Sequence, residues 1–306
     1  MNYTLNQLRV FLKVTQTKSI TKASEELHMT QPAVSIQLKN FQDQFEIPLI
    51  EVIKKRIYIT DFGHEVAASA ERILDEVNDI KYKALAHNGF LSGKLKFSVV
   101  STGKYVIPYF IADFLKQNPG VELALDVSNR TKVIESLTKN QTDFALVSLM
   151  PENLKLNSIR LLENKLFLVG NSEYNEKQIK SSSFWESNPI IFREEGSATR
   201  LMMEQYLNSR GINVKRRLEL TSNEAVKQAV IAGIGCSVMP LIGLKNELDK
   251  KQIQILKTKD LLVITNWELV WLDEKKLSPV AAAFIRFLEM EKERIIGQHF
   301  DWYLNY

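Results

Sequence analysis

The run Thr30-Gln31-Pro32-Ala33-Val34-Ser35-Ile36-Gln37-Leu38-Lys39 carries side chains suited to reading a nucleic-acid duplex. An amide such as that of Gln31 pairs simultaneously with N7 and N6 of adenine, and a hydroxyl one helical turn further on, as at Ser35, reaches a neighbouring base edge. Gln37 is left on the solvent side, and Lys39, further from the tip, is placed for phosphate. Thr30 supplies a helix N-cap, Pro32 sits in the first turn where its missing N–H is harmless, and Met29 is positioned to staple onto Val34. A second cationic group follows. Lys54, Lys55 and Arg56 stand between the β-rich flanks 49–52 and 57–59, which predicts a hairpin with a basic tip able to grip phosphates without reading sequence.

These groups need a scaffold. In LNQLRVFLKVTQ the apolar residues Leu5, Leu8, Phe11, Leu12 and Val14 fall three and four apart, the pattern of a first amphipathic helix. A shorter helix follows the break at Thr17-Lys18-Ser19, with Ile20, Ala23 and Leu27 inward and Lys22, Glu25 and Glu26 outward. The third helix begins near residue 31 and turns Val34, Ile36 or Leu38, and Phe41 inward. Two helices of this length separated by His28-Met29-Thr30 describe a helix-turn-helix, and the hairpin adds a wing. A plain helical hairpin with a polar surface shares the spacing of the helices but gives the basic tip no task.

Thr60-Asp61 opens a long helix in which Val66, Ala70, Ile73, Val77, Ile80 and Ala84 repeat at alternating spacings of three and four. That narrow apolar seam favours pairing with another helix. Asn88-Gly89 is expected to end it, and GFLSG to link onward. From Lys94 the texture changes to alternating strands and helices: KLKFSVVS, VELALDVS, DFALVSLM, KLFLVG, PIIFRE, RRLEL, CSVMP and NWELVWL read as strands, with helical stretches in YFIADFLKQNPG and TKVIESLTKN and near 198–210, 223–232 and 278–291. This βαβα pattern predicts two small α/β lobes around a cleft. The aromatic tail HFDWYLNY is expected to pack on the surface of the second lobe rather than to mediate oligomer contacts.

Composition narrows the classes. The 306 residues are 45% hydrophobic and 25% charged, enough for more than one core. The net charge of +4 is concentrated at the N-terminus, where residues 1–60 carry eight Lys/Arg against five Asp/Glu; a local basic excess suits a polyanion. No apolar run long enough to span a membrane and no secretory signal is present, which predicts a cytoplasmic chain. The single cysteine, Cys236, lies in IAGIGCSVMP and reads as a buried small residue. The four histidines, His28, His64, His87 and His299, lack metal-ligand spacing. IAGIGC is not a dinucleotide fingerprint, and there is no phosphate-loop lysine motif. An α/β enzyme with an accessory helical domain, or a metabolite sensor that leaves DNA alone, are the competing classes; neither a cofactor nor a metal is expected.

The blocks LRVFLKV, SITKASEELHMTQPAVSIQLKNF, IYITDFG, FREEGSATR, SNEAVKQAVIAGIG and SPVAAAFIRFL resemble those of LysR-type transcriptional regulators, across nearly the whole chain. STGKYVIPYF, NRTKV, EEGSATR and SNEAVKQAV look most like the branch that includes regulators of carbon-fixation operons. The resemblance implies an α/β protein with an N-terminal winged helix-turn-helix over 1–60 and a linker and dimerisation helix over 61–89. A two-lobed effector domain like a periplasmic binding protein then covers 94–306, with lobe I about 94–166 and 267–306 and lobe II about 167–266. The implied partners are double-stranded DNA, a small metabolite and a second or fourth copy of the chain. Two positions depart from the pattern: Leu49-Ile50-Glu51-Val52 lacks the usual arginine before the wing, and Phe41-Gln42 replaces Leu-Glu, which reads as packing variation. The resemblance places Ser101 and Thr102 in the effector cleft. Asn129, Arg130 and Ser148 from the first lobe, and Arg193, Ser197, Thr199 and Asn223 from the second, occupy similar strand ends and helix starts, where free N–H groups favour anions. With Lys104 nearby, this set points to a carboxylate or phosphorylated metabolite.

Overall fold

In the computed structural model the described residues are 2–54, 56–87, 91–174, 184–257 and 262–304. The chain forms two compact units, Met1–Phe90 and Leu91–Tyr306.

In the first unit, α1 (Leu5–Thr17), α2 (Ile20–Glu26) and α3 (Gln31–Gln42) precede β1 (Ile50–Ile53), β2 (Arg56–Ile59) and α4 (Asp61–His87). Each helix start is chemically marked. Thr4 and Gln7 form a reciprocal capping box, Ser19 accepts from the Lys22 amide, and Thr30 accepts from the Ala33 amide at 3.4 Å. Val34, Leu38 and Phe41 of α3 join Leu8, Val10, Phe11, Val14 and Ala23 in one core, with Met29 packed on the same cluster as Val34. Full burial of such side chains contributes about 1.5–3 kcal/mol each.

The structure chooses between the inward candidates of α3: Leu38 is buried and Ile36 is 58% exposed. In α1 it turns Leu5 outward and Val10 inward, because α4 packs on α1 and claims a face that the short pattern did not distinguish. The wing is tighter than expected. Ile53 pairs with Arg56, so Arg56 belongs to β2, and Lys54 stands in the turn at φ 49°; Lys55 lies outside the described residues. Gln42 does more than pack: its Oε1 accepts the Leu49 and Ile50 amides at 3.1 and 3.3 Å, holding the start of β1. Thr60 begins α4 by accepting from the Gly63 amide at 2.9 Å and donating to the Pro48 carbonyl at 2.7 Å. Gly63 is required there, since a Cβ would stand 2.0 Å from the Leu49 carbonyl oxygen. The apolar seam of α4 divides. Ala67, Ala70 and Leu74 are buried in the unit's own core with Val66 beside them, while Ile73 and Ile80 are 41% and 64% exposed. The side chain of Ala84 and the expected stop at Asn88-Gly89 lie outside the described residues.

The second unit contains β3 (Ser92–Val100), α5 (Ile107–Gln117), β4 (Gly120–Ser128), α6 (Arg130–Thr138), β5 (Phe144–Val147), β6 (Leu156–Gly170), α7 (Phe184–Ser187), β7 (Ile190–Arg193) and α8 (Ala198–Ser209). It continues with β8 (Arg217–Leu220), α9 (Asn223–Ile231), β9 (Cys236–Pro240), α10 (Lys245–Asp249), β10 (Gln254–Ile255), β11 (Leu262–Leu272), α11 (Pro279–His299) and α12 (Asp301–Leu304). The strands make one sheet in the order β4-β3-β5-β11-β6-β9-β7-β8, with β10 added to β6. Parallel trios β4-β3-β5 and β9-β7-β8 form the two lobes. The antiparallel pair β6 and β11 runs through both, with an irregularity at Trp267/Glu268. The first lobe's core includes Phe97, Phe114, Phe144, Trp267 and Phe284; the second has cores around Phe192 and Met203 and around Ile191 and Val230.

β6 begins well before KLFLVG and β11 before NWELVWL, so the expected lobe limits near 166 and 267 fall inside continuous strands. The aromatic tail packs within the chain, but on the first lobe. Phe300 and Tyr303 are buried in its core, and the Tyr303 hydroxyl accepts the Lys165 amide at 2.7 Å. Cys236 is buried, and burial pushes its thiol up to about 11.

Candidate functional site

Each unit presents a candidate site. In the first, α3 stands with Thr30, Gln31, Pro32 and Lys39 exposed and Ser35 and Gln37 half-buried. At about 100° per residue, Gln31 and Ser35 share a flank with Lys39 beyond them, and Pro32 and Ile36 occupy the middle of the outward face. Gln37 falls on the opposite flank, so it does not join Ser35 in one row. Ile36 was missed as a surface group because its apolar type matched the inward pattern. The wing exposes Lys54 and Arg56, and Val52, Ile53 and Tyr58 with them. His28 adopts φ 52° between α2 and α3, a left-handed corner that turns the chain from one helix into the next.

In the second unit the nine residues picked out at strand ends and helix starts line one cavity: Ser101, Thr102, Asn129, Arg130 and Ser148 from the first lobe, and Arg193, Ser197, Thr199 and Asn223 from the second. Only about 10 Å³ remains for the centre of a water molecule, room for roughly one water. The lobes are therefore closed on each other. Arg193, 3% exposed, donates from Nε and Nη2 to the two carboxylate oxygens of Glu194 at 2.7 and 2.8 Å and reaches across to Ser101 Oγ at 3.3 Å. Arg200 Nη1 holds the Arg193 carbonyl at 3.1 Å, tying the end of β7 to α8. Arg130 Nη2 donates to the Met150 carbonyl at 3.4 Å.

Three helices aim their starts at this cavity. Asn129 caps α6 through the Lys132 amide at 3.0 Å, and Ser222 caps α9 through the Ala225 amide at 3.1 Å. Ser197 makes no capping bond to α8, so its first amides keep their positive ends available. Two buried donors on the lining, Arg130 Nε and Asn223 Nδ2, have no hydrogen-bond partner among the described residues. Leaving such groups unpaired costs about 1–3 kcal/mol each, and an anion between the lobes would answer both. Glu194, Gly196 and Thr131 also belong to the site's architecture and were not foreseen. Gly196 has φ +81°, and a Cβ there would stand 2.6 Å from Thr131 Oγ1 of the other lobe. A glycine directly before the serine that opens α8 was the available signal.

Among the described residues no cluster of His, Cys, Asp and Glu could hold a metal, and no described helix is long and apolar enough to cross a membrane.

A reading helix with a wing, joined in sequence to a two-lobed domain that closes on a polar cavity, defines a ligand-responsive DNA-binding regulator. Residues 5–64 match the bacterial regulatory helix-turn-helix of the lysR family and residues 88–292 the LysR substrate binding domain, and the chain belongs to the LysR family. It is a transcriptional regulator and not an enzyme. It is similar to the HTH-type transcriptional activator CmpR of Synechocystis sp., at 32% identity over 96% of this chain and 97% of the relative. It is also similar to the RuBisCO operon transcriptional regulator of Allochromatium vinosum, at 33% over 96% and 98%. The Synechocystis CcmR regulatory domain in complex with 2-PG matches with TM-score 0.60 and 31% identity over 64% of this chain and 96% of that one. Full-length CbnR complexed with its target DNA shares the fold, with TM-score 0.69 at 18% identity over 94% and 99%.

Proposed function

We propose that this regulator binds double-stranded DNA as a homodimer or homotetramer in the cytoplasm, and that a small anionic metabolite held between the lobes of residues 94–306 sets how it binds. Residues 1–60 serve as the DNA-binding domain and 61–89 as the dimerisation helix. Gln31 and Ser35 read base edges and Ile36 meets thymine methyls. Thr30 and Pro32 fix the helix tip, and Gln37, Lys39, Lys54, Lys55 and Arg56 contact the strands. The exposed Ile73 and Ile80 supply the helix pairing. The carrying observation for the effector is the pair of buried, unpartnered donors, Arg130 Nε and Asn223 Nδ2, beside Arg193 and the open start of α8. A phosphorylated carboxylate such as 2-PG, seen with the CcmR regulatory domain, has the charge and oxygens for them. A ligand that prefers one lobe geometry shifts the equilibrium between geometries, and DNA affinity shifts with it.

Calorimetry of the full chain with 2-PG tests this. Saturable heat is expected, with affinity falling about tenfold or more in Ser101→Ala/Arg130→Ala, as loss of charged hydrogen bonds requires. Equal heat from wild type and variant would remove the assignment.

A further inference from the structure

The wing carries more than cations. In the register of the hairpin Glu51 faces Tyr58 and Ile53 faces Arg56, so these four side chains share one face, since neighbours along a strand point to opposite sides. Ile50, Val52, Ile57 and Ile59 share the other. That second face is anchored at its base: Ile57 is buried, and Ile50 and Ile59 pack on the same core as α1 and α3. At the tip the anchoring ends. Val52 on one face and Ile53 on the other are 65% and 51% exposed, and the exposed Lys54 and Arg56 flank them. Apolar side chains framed by cations match the minor groove of a duplex, where stacked bases lie between two rows of phosphates. Glu51 lies two residues below Ile53, so attraction for phosphate is concentrated at the tip.

The mounting of the hairpin lets that tip reach a groove. Gln42, at the end of α3, accepts the Leu49 and Ile50 amides at 3.1 and 3.3 Å, which fixes the base of the wing to the reading helix. From Leu49 to Lys54, five steps of extended chain span about 16 Å. Half a helical turn of duplex, the step from a major groove to the neighbouring minor groove, is about 17 Å. Entry is another matter. The minor groove is about 6 Å wide, whereas a strand pair with side chains on both faces is about 10 Å thick. The tip therefore fits only where the duplex yields, and apolar side chains pressed against a base step open it by unstacking. Pyrimidine–purine steps yield most easily.

We propose that Val52 and Ile53 form an apolar wedge that enters the minor groove beside the half-site read by α3 and unstacks a flexible base step, while Lys54 and Arg56 hold the flanking phosphates. The wedge rests on the DNA contacts assigned above and adds sequence preference to a wing otherwise given only to phosphate. That preference is for deformability rather than for a base edge. A second copy of the chain is the poorer occupant, since two such tips would bring Lys54 and Arg56 against their own kind.

Selection of a random duplex library by the full chain tests the wedge. Wild type is expected to enrich a half-site together with a pyrimidine–purine step at a fixed distance outside it, favoured at least about fivefold over other steps. Val52→Ser/Ile53→Ser, at two exposed positions, is expected to enrich the same half-site and to lose the preference at the step. Lys54→Ala is expected to keep that preference and to bind every duplex more weakly. With 2-aminopurine placed at the selected step, wild type is expected to raise its fluorescence at least about twofold, as unstacking does, and the serine variant to leave it unchanged. A flank that wild type leaves random, the same flank chosen by the serine variant, or a selected step whose fluorescence does not rise would overturn the wedge. A serine variant that sediments as a smaller assembly without DNA would overturn it too, by giving the tip to a second copy. A library from which wild type enriches no half-site would remove the contacts of α3 along with the wedge.

Discussion

Gly196→Ala separates two costs that the structure locates at one residue. The first is backbone strain. At φ +81° an alanine pays about 1–2 kcal/mol for the left-handed conformation, whatever surrounds it. The second is steric and belongs to the closed cleft. The new Cβ would stand 2.6 Å from Thr131 Oγ1 but 3.4 Å from Thr131 Cβ, so the hydroxyl must retreat by more than half an ångström or the lobes must part, at about 1–3 kcal/mol. Thr131→Ala removes the oxygen and leaves an ordinary contact. Urea unfolding of wild type, both single variants and the double variant forms a cycle in which the second cost appears as a coupling of about 1 kcal/mol, while the first remains in both alanine-196 proteins. Calorimetry with 2-PG adds the functional reading: the cleft as closed has room for about one water, so Gly196→Ala, which parts the lobes, is expected to change the affinity about fivefold, and Thr131→Ala to restore it. Additive stabilities within about 0.3 kcal/mol, or a ligand affinity that Thr131→Ala does not restore, would refute a closed cleft held by that contact.

Gln31→Ala is expected to relax sequence preference at one base position by about 1–3 kcal/mol, whereas Lys54→Ala weakens binding to all duplexes and lowers the salt slope by about 0.9; competition binding at several salt concentrations reads both. Ile73→Asp/Ile80→Asp places charge on the exposed seam of α4, and sedimentation is expected to show a smaller assembly with the fold intact by circular dichroism. With the Cys236 thiol pushed up to about 11 by burial, the folded chain should resist a thiol reagent at pH 8 and react fully when denatured. Because the folded pKa lies above the unfolded value, the stabilisation is complete below the unfolded thiol's pKa and declines as pH rises through about 11, which alkaline unfolding curves can follow.

What the sequence made legible depends on how local the signal was. The tip of α3 was readable because Thr30 and Pro32 act within one turn, and the nine cleft residues because each lies at a strand end or helix start. Their meeting in one cavity follows from the parallel strands, which put those ends on the same edge of each lobe. Other features required tertiary context. Leu5 and Val10 exchanged roles because α4 covers one side of α1. The first half of β6, LNSIRLLEN, mixes charge and apolar residues since it crosses from a solvent-facing margin into the core, so neither strand period stood out. Nothing marks the lobe limit locally, as β6 and β11 pass through it unbroken. The tail's partner, Lys165, is 138 residues away from Tyr303 in sequence, a distance no window spans.

The most direct measurement is the sequencing of DNA fragments retained by the purified chain at moderate ionic strength, with and without 2-PG. Enrichment is expected of fragments sharing two half-sites at a fixed separation, lost in Gln31→Ala, with a footprint that changes when 2-PG is added and does not change in Arg130→Ala. Retention of scrambled duplex as readily as any genomic fragment, under both conditions, would contradict it.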